Sequence, residues 1–419
     1  MTVPTASATT WAIFGLVYLG LAVGKLPFVR LDRAGIALVG ATAMLVLGLV
    51  TFGDAVSAVD FPTIALLFGM MVVVAYLRLG GFFRGLATRV LERTRTPYGV
   101  LAAVIALSGT LSAFLVNDVV CLALGPVVLT LARRLRRDPV PYLVALATSA
   151  NIGSTATITG NPQNMIIGTV SRIPYAAFAA HLAPVAAVGL VLDYAIVALA
   201  FRRSLGQELE APPSSSIAPQ DPAGAPEPKL LPKGVAVLIG IVALFFAGAP
   251  IEIVALGGAA LLLLGRVRPE RLYAQIDWNL LVMFAGLFVV ISGFERHVVT
   301  GWNLQRLASA QSAPIAPLAA LAAVISNLVS NVPAVLLLKS VVTSLGTGAH
   351  ERGWLALAMA STLSGNLTPI ASVANLIVIE GARREGTRVS FLDYCRVGIP
   401  VTLVTLALGT AWLVLGAHG

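Results

Sequence analysis

The chain has 419 residues, of which 58% are hydrophobic and 11% charged, with a mean hydropathy of +0.90 and a formal net charge of +9. So little polar surface excludes an ordinary soluble domain, and apolar runs near the roughly 20 residues that cross about 30 Å of hydrocarbon predict a helical bundle in lipid rather than a barrel. The basic excess lies in short loops between apolar runs, the positive-inside distribution of a membrane protein, and predicts no nucleic-acid partner.

Met1 to Thr10 carries no charge, and the apolar run after it ends on Lys25, Arg30 and Arg33 without a cleavage pattern, so it reads as a retained first helix. Hydropathy and flanking charge place spans at about 11–28, 34–52, 62–80, 141–170, 176–201, 234–248, 251–265, 278–294, 353–380 and 395–417. Two more apolar stretches, 98–132 and 314–345, carry polar tips at Asn117-Asp118 and Ser330-Asn331. Each is either two spans or one hairpin, and both choices return the chain to its starting side. Arms of about 15 to 18 residues, short for crossing, favour re-entrant hairpins with tips near the midplane. The expected fold is an all-α membrane protein, an inverted-repeat secondary transporter with about 10 transmembrane helices and two re-entrant hairpins.

On that topology 23 of the 28 Lys and Arg residues share one side, which is therefore cytoplasmic, with both termini outside. Arg172, Arg296, Arg306 and Arg352 fall opposite, and Lys339 lies in a hairpin arm from which it is expected to snorkel. Residues 204–233, with a Pro-rich core from Ala211 to Pro228, read as a disordered cytoplasmic linker. The linker separates two halves, 1–203 and 234–419, with the same order of elements but opposite starting direction: three spans, a hairpin, a broken span (141–170 and 353–380) and a closing span. Local matches keep that order. Val59-Asp60-Phe61 recurs as Ile276-Asp277-Trp278, 217 residues on; the hairpin tips are 213 apart and Asn164 and Asn375 are 211 apart.

The runs Asn151 to Gly168 and Ser361 to Ile379 are islands of Gly, Thr, Ser and Asn in apolar sequence. Lipid tolerates broken helix only where it lines a cavity or is buried in protein, so paired breaks mark a midplane site. From Pro141 at the inner surface, about 1.5 Å per residue brings the chain roughly 15 Å deep by Asn151, where the break is expected to begin. Candidate solute- or ion-binding residues are Asn117, Asn151, Thr155, Thr157, Asn161, Asn164, Ser330, Asn331, Asn366, Thr368, Ser372 and Asn375, with Gly153, Gly160 and Gly365 permitting unwinding and close backbone approach. Asp118 is the candidate proton carrier: a carboxylate at that depth costs about 2.5–3.5 kcal/mol on insertion scales, and protonation relieves much of it. Asn-Asp is also good capping chemistry, so Asp118 could cap the second arm instead. Cys121 and Cys395 read as packing residues with neither disulfide nor metal spacing, Met70 and Met71 as core, and Asp60 and Asp277 as helix caps.

Ala150-Asn151-Ile152-Gly153 through Gly160-Asn161-Pro162-Gln163-Asn164 is similar to the phrase found in plant silicic acid and arsenite efflux transporters, and Val116-Asn117-Asp118 resembles the tip of arsenite exporters. On these motifs the whole chain resembles the ArsB/NhaD ion-transporter superfamily. The resemblance implies a fold like that of the divalent-anion/sodium symporters, with scaffold and moving regions, a homodimer, and in some exporters an ATPase subunit. The sodium-coupled dicarboxylate branch carries Ser-Asn-Thr at both tips, which this chain lacks, so sodium sites do not carry over.

The expected function is proton-coupled export of a small neutral metalloid acid, arsenite/antimonite or silicic acid, by elevator-like alternating access in the cell membrane. No Lys or Arg is expected at the midplane, which suits a neutral solute. The alternatives are a sodium-coupled anion (dicarboxylate or sulfate) symporter and a sodium/proton antiporter. Neither a cofactor nor a resident metal is expected, only transported or coupling H+ or Na+. No nucleophile-base pair is visible, and His181, His297, His350 and His418 lie near the outer surface or the terminus, so an enzyme is not expected.

Overall fold

The computed structural model describes residues 3–23, 31–91, 93–94, 96–207, 227–265, 267–298 and 315–416. Among these the secondary structure is helical, with no strand. The first half comprises α1 (Val3–Val23), α2 (Arg33–Val46), α3 (Phe52–Ala58), α4 (Phe61–Leu79), α5 (Phe82–Leu91), α6 (Pro97–Phe114), α7 (Asn117–Arg134), α8 (Val140–Ser154), α9 (Pro162–Ser171), α10 (Tyr175–Ala200) and α11 (Arg202–Gly206). The second comprises α12 (Leu231–Phe246), α13 (Ile251–Leu263), α14 (Pro269–Tyr273), α15 (Trp278–His297), α16 (Ile315–Val329), α17 (Asn331–Thr343), α18 (Thr347–Leu363), α19 (Val373–Arg384) and α20 (Phe391–Leu415).

Among the described residues, six helices are long and apolar enough to cross a membrane: α4, α6, α10, Pro228–Phe246, α15 and α20, with five shorter apolar helices beside them. Large apolar side chains point outward from several of them, including Leu16, Leu199, Leu261 and Leu403. Buried polar side chains concentrate instead on α8, α9 and the segment around 361–375. Apolar outside and polar inside is the pattern of a bundle whose solvent is lipid.

Local chemistry sets the helix starts. Asp60 accepts from the Thr63 N–H (3.0 Å) and Asp277 from the Leu280 N–H (3.0 Å), so both act as the expected caps. The expected span 34–52 is not continuous. α2 ends at Val46, the chain turns through Gly48 at φ +67°, and Thr51 caps α3 by accepting from the Asp54 N–H (3.1 Å). The left-handed conformation at Gly48 is one that a side chain resists. The edges of the expected linker 204–233 are likewise structured: a short 3-10 turn at Pro228–Leu230 leads into α12, and the Glu227 N–H donates to the Leu79 carbonyl (2.9 Å). Its centre, 208–226, and the expected cytoplasmic cations Lys25, Arg30, Arg95 and Arg266 lie outside the described residues, as does Arg306 on the other face.

Packing pairs helices across the two halves. α2 lies on α15 and α4 on α13, while α1 flanks α15 and α12 flanks α4. α6 and α7 embrace α8, and α16 and α17 embrace α18; α7 also lies against α19, and α17 against α9. Two glycines permit the crossings of α4 with α13 and of α2 with α15: a Cβ on Gly69 would meet the Ala255 backbone at 2.6 Å, and one on Gly286 the Ala37 backbone at 2.8 Å. α10 and α20, each with an interior proline (Pro184, Pro400), close the bundle against each other.

Candidate substrate and ion site

Both expected helix breaks are present. α8 gives way after Ser154 to an irregular stretch with a 3-10 turn at Ile158–Gly160 before α9 begins at Pro162. α18 ends at Leu363, passes through a 3-10 turn at Ser364–Asn366 and resumes as α19 at Val373. The first break starts later than Asn151, because Asn151 and Gly153 are still helical. Gly153 serves close approach rather than unwinding: a Cβ there would lie 2.1 Å from the Gly109 carbonyl oxygen, which brings α6 onto α8. A Cβ on Gly160 would likewise meet the Ser154 backbone (2.2 Å), whereas one on Gly365 would have more room, its nearest neighbour being Asn331 Nδ2 (3.2 Å).

Carboxamides fill the space the breaks open. Asn117 Nδ2 donates to Asn151 Oδ1 (2.9 Å), and Asn151 Nδ2 donates to Asn366 Oδ1 (2.8 Å) and Asn375 Oδ1 (3.0 Å). Ser372 Oγ donates to Asn151 Oδ1 (3.1 Å), and Asn366 Nδ2 to the Thr148 carbonyl (3.1 Å). A second cluster gathers around Thr362, which receives Asn161 Nδ2 and Gln163 Nε2 (both 3.2 Å) and donates to Asn164 Oδ1 (3.4 Å). Asn164 and Asn375 each bridge their own break, a buried amide taking up the carbonyls that an interrupted helix leaves open.

In front of this network lies a 590 Å3 cavity. Asn117, Asp118, Ser330, Asn331 and Ser372 line it, with Gln163, Ser326, Asn327 and Asn279, and with Asp32, Arg33 and Asp277. Asn151, Asn161, Asn164, Asn366 and Asn375 are buried behind that wall. Three further expected site residues do not line the cavity either. Thr155 spends its hydroxyl on the Asn151 carbonyl (3.2 Å), and Thr157 bonds the Ala113 carbonyl and Thr159; Thr368 contributes its carbonyl to Asn375.

Two features mark the cavity wall as receptive. Asn117 Oδ1 is buried without a hydrogen-bond partner, although its amide nitrogen is bonded, which leaves an acceptor open for a donor. Ser330 adopts φ +78°, ψ 159°, a backbone region nearly reserved for glycine and costing about 1–3 kcal/mol, and it does so at the start of α17. Asp118 does not cap α7: the N-cap position is Val116, with no side-chain cap bond. Helix starts also make Asn117 and Asn331 the matching positions, one residue off the register expected for the tips. Asp118 instead faces the cavity with Asp277, and Arg33 is the cation among three carboxylates there. Arg33 reaches the cavity from the start of α2. Lys339 has Glu295 as an electrostatic neighbour, a partner the snorkelling expectation did not include. Both cysteines are buried free thiols.

The description of one family, CitMHS or citrate transporter, fits residues 18–363. The chain belongs to the citrate transporter family, within the ArsB/NhaD-type ion transporter superfamily. It is 30% identical to the silicon efflux transporter LSI3 of Oryza sativa subsp. japonica, over 94% of this chain and 95% of that one. An arsB-like transporter of Dictyostelium discoideum is 26% identical over 92% of this chain and 88% of its own length. Among solved structures, the YdaH transporter of Alcanivorax borkumensis matches with a TM-score of 0.59 over 99% of this chain and 98% of that one, at 14% identity, a likeness of fold. The chain is therefore a membrane transporter of this family.

Two residues beyond the expected set had signals in the sequence. Thr362 lies 211 residues after Asn151, so the repeat register points to it, and Gln163 stands within the first break motif. Asp32, Arg33 and Asp277 sit at helix starts and reach the cavity only because α2 and α15 pack together.

Proposed function

We propose that the protein is a proton-coupled secondary transporter that exports a small neutral metalloid acid, arsenous or silicic acid, through the cavity at Asn117 and Asp118. The observation that carries this reading is the joint lining of one cavity by the carboxamides of Asn117 and Asn331, the hydroxyls of Ser330 and Ser372, and Asp118. An uncharged polyhydroxy solute brings O–H donors and acceptors that match carboxamides and hydroxyls without needing a cation. Three carboxylates against one guanidinium disfavour a free polyanion by charge. The names of the rice and Dictyostelium relatives support the same solute class.

In this reading the two halves are inverted repeats, a division supported by the exchange of α2 and α13 onto α15 and α4. The pairs α6–α7 and α16–α17 act as re-entrant hairpins whose tips meet the broken helices. Asp32, Arg33 and Asp277 sit at helix ends that the arginine distribution assigns to the cytoplasm, so the cavity faces inward. Asp118 releases its proton as it receives solute on the inside and takes one up as solute leaves outside, while the broken helices and hairpins move as a body.

The second reading, sodium-coupled transport of an organic or inorganic anion, draws on the family description. Proteoliposomes with an internal pH dye separate the readings. Arsenite or silicic acid should drive proton movement without Na+; uptake of citrate or sulfate that requires Na+ and moves no proton would select the symporter, and a response to Na+ alone would select sodium/proton exchange.

A further inference from the structure

Asp193 is a carboxylate without an evident structural reason to be where it is. It is the nineteenth residue of α10, far from either end, so it caps nothing. It is fully buried, and neither of its oxygens has a hydrogen-bond partner. A buried charge without partners is expensive, and native proteins retain one where it does chemistry.

Its surroundings are polar but hold no cation. Thr148 of α8 lies beside it, with its hydroxyl within hydrogen-bond distance of the Val144 carbonyl (3.0 Å). Tyr394 of α20 is the other neighbour, and its buried phenol is likewise unpartnered. A single proton on Asp193 removes the charge that these surroundings leave uncompensated.

No cation on the surrounding helices is placed to neutralise it. Around α10, α6 offers Tyr98 and α8 offers Tyr142, which faces Arg137 and Asp138. Lys233 of α12 donates to the Leu264 carbonyl, and in α18 the ring of His350 accepts from Trp354, with Glu351 and Arg352 in the same first turns. Arg202 and Arg203 of α11 and Arg396 of α20 are exposed, and Asp393 is capped by Ser390. Cys395 and Cys121 neighbour Tyr394, and Cys121 neighbours Asp118.

The link to the solute site is direct. The Thr148 carbonyl receives Asn366 Nδ2, and Asn366 bonds Asn151, the centre of the carboxamide network. We propose that Asp193 is a second proton-binding site, holding a proton as the neutral acid beside Thr148 and exchanging it in step with the solute network. The step is a simple association: one proton from water adds to one carboxylate oxygen and leaves again as a proton. The proposal rests on the proton-coupled reading above.

Infrared spectroscopy of the purified full chain in lipid tests it. The carbonyl stretch of a buried protonated carboxylic acid should be present in the wild type and in Asp118→Asn, and lost in Asp193→Asn; Tyr394→Phe should keep the band but shift it. In proteoliposomes Asp193→Asn should move one proton fewer per arsenite or silicic acid. An identical carbonyl region in the wild type and Asp193→Asn overturns the site, and a lost band with unchanged protons per solute overturns its part in the cycle. Failure of the Asp118 reading looks different: Asp118→Asn would retain full coupling while the Asp193 band still disappeared in Asp193→Asn.

Discussion

Asn375 repeats, 211 residues on, the bonds that Asn164 makes. Asn164 Nδ2 donates to the Ser154 and Thr157 carbonyls (3.1 and 3.0 Å), and Asn375 Nδ2 to those of Gly365 and Thr368 (2.7 and 3.1 Å), each acceptor displaced by the same 211 residues. The acceptor oxygens follow suit, since Thr362 donates to Asn164 and Asn151 to Asn375, again at that spacing. Each break is thus closed by its own asparagine and bolted to the other half. Such cross-links favour the two broken helices moving as one body.

Asn375→Ala should remove a buried amide on which three groups depend, the carbonyls of Gly365 and Thr368 and the amide of Asn151. Leaving a buried polar group unsatisfied costs about 1–3 kcal/mol, so the variant should unfold at clearly lower temperature in detergent and bind solute weakly. Asn164→Ala should behave alike. Thermal unfolding of both variants checks this, and wild-type stability would contradict it.

Gly153→Ala and Gly365→Ala should differ. The first would press a methyl into the Gly109 backbone at 2.1 Å, whereas the nearest neighbours of the second are side-chain atoms at 3.2 and 3.3 Å. Overpacking typically costs about 1–3 kcal/mol, and Gly153→Ala belongs at or beyond the upper end because backbone cannot step aside. Comparing their unfolding midpoints gives the order directly.

Ser330→Gly should stabilise. Relief of about 1–3 kcal/mol of backbone strain exceeds the roughly 0.4–1 kcal/mol that glycine's extra freedom in the unfolded chain removes. The net gain is on the order of 1 kcal/mol, read as a higher unfolding temperature. Ser330→Ala retains the strain and should show no such gain.

How much of this was legible in the sequence varies by element. Asn151, Asn164, Asn366 and Asn375 were visible because an amide inside an apolar run is a polar outlier, and the network they form uses all four. The start of the first break was not, because Asn151 and Gly153 have the composition of a break yet keep helical backbone when α6 packs on them. Gly48 lay within an apolar run that reads as one span, and only its positive φ ends α2. Asp193 is a lone acid among Val, Leu and Ala with no repeat partner or motif, so its isolation from any hydrogen-bond partner emerges only in three dimensions.

Arg296 Nη2 donates to Asp54 (2.8 Å), tying α15 to α3. That hydrogen bond, with one from Thr51, holds the Asp54 carboxyl down at about 2. A group depressed below its unfolded value near about 3.9 contributes above that pH and loses its contribution as pH falls through about 2. Asp54→Asn should therefore slightly lower the unfolding temperature at neutral pH, with the difference from wild type shrinking between about pH 4 and pH 2 and with added salt. A difference that grew on acidification would contradict the pairing.

The central claim is that Asp118 exchanges a proton for a neutral solute at the cavity wall. The most direct measurement is dye-reported proton flux in proteoliposomes on addition of arsenite or silicic acid, comparing wild type with Asp118→Asn. The account predicts solute-driven proton movement in the wild type and none in the variant, with the variant still folded. Proton movement of wild-type size in Asp118→Asn, or none in the wild type with either solute, would contradict it.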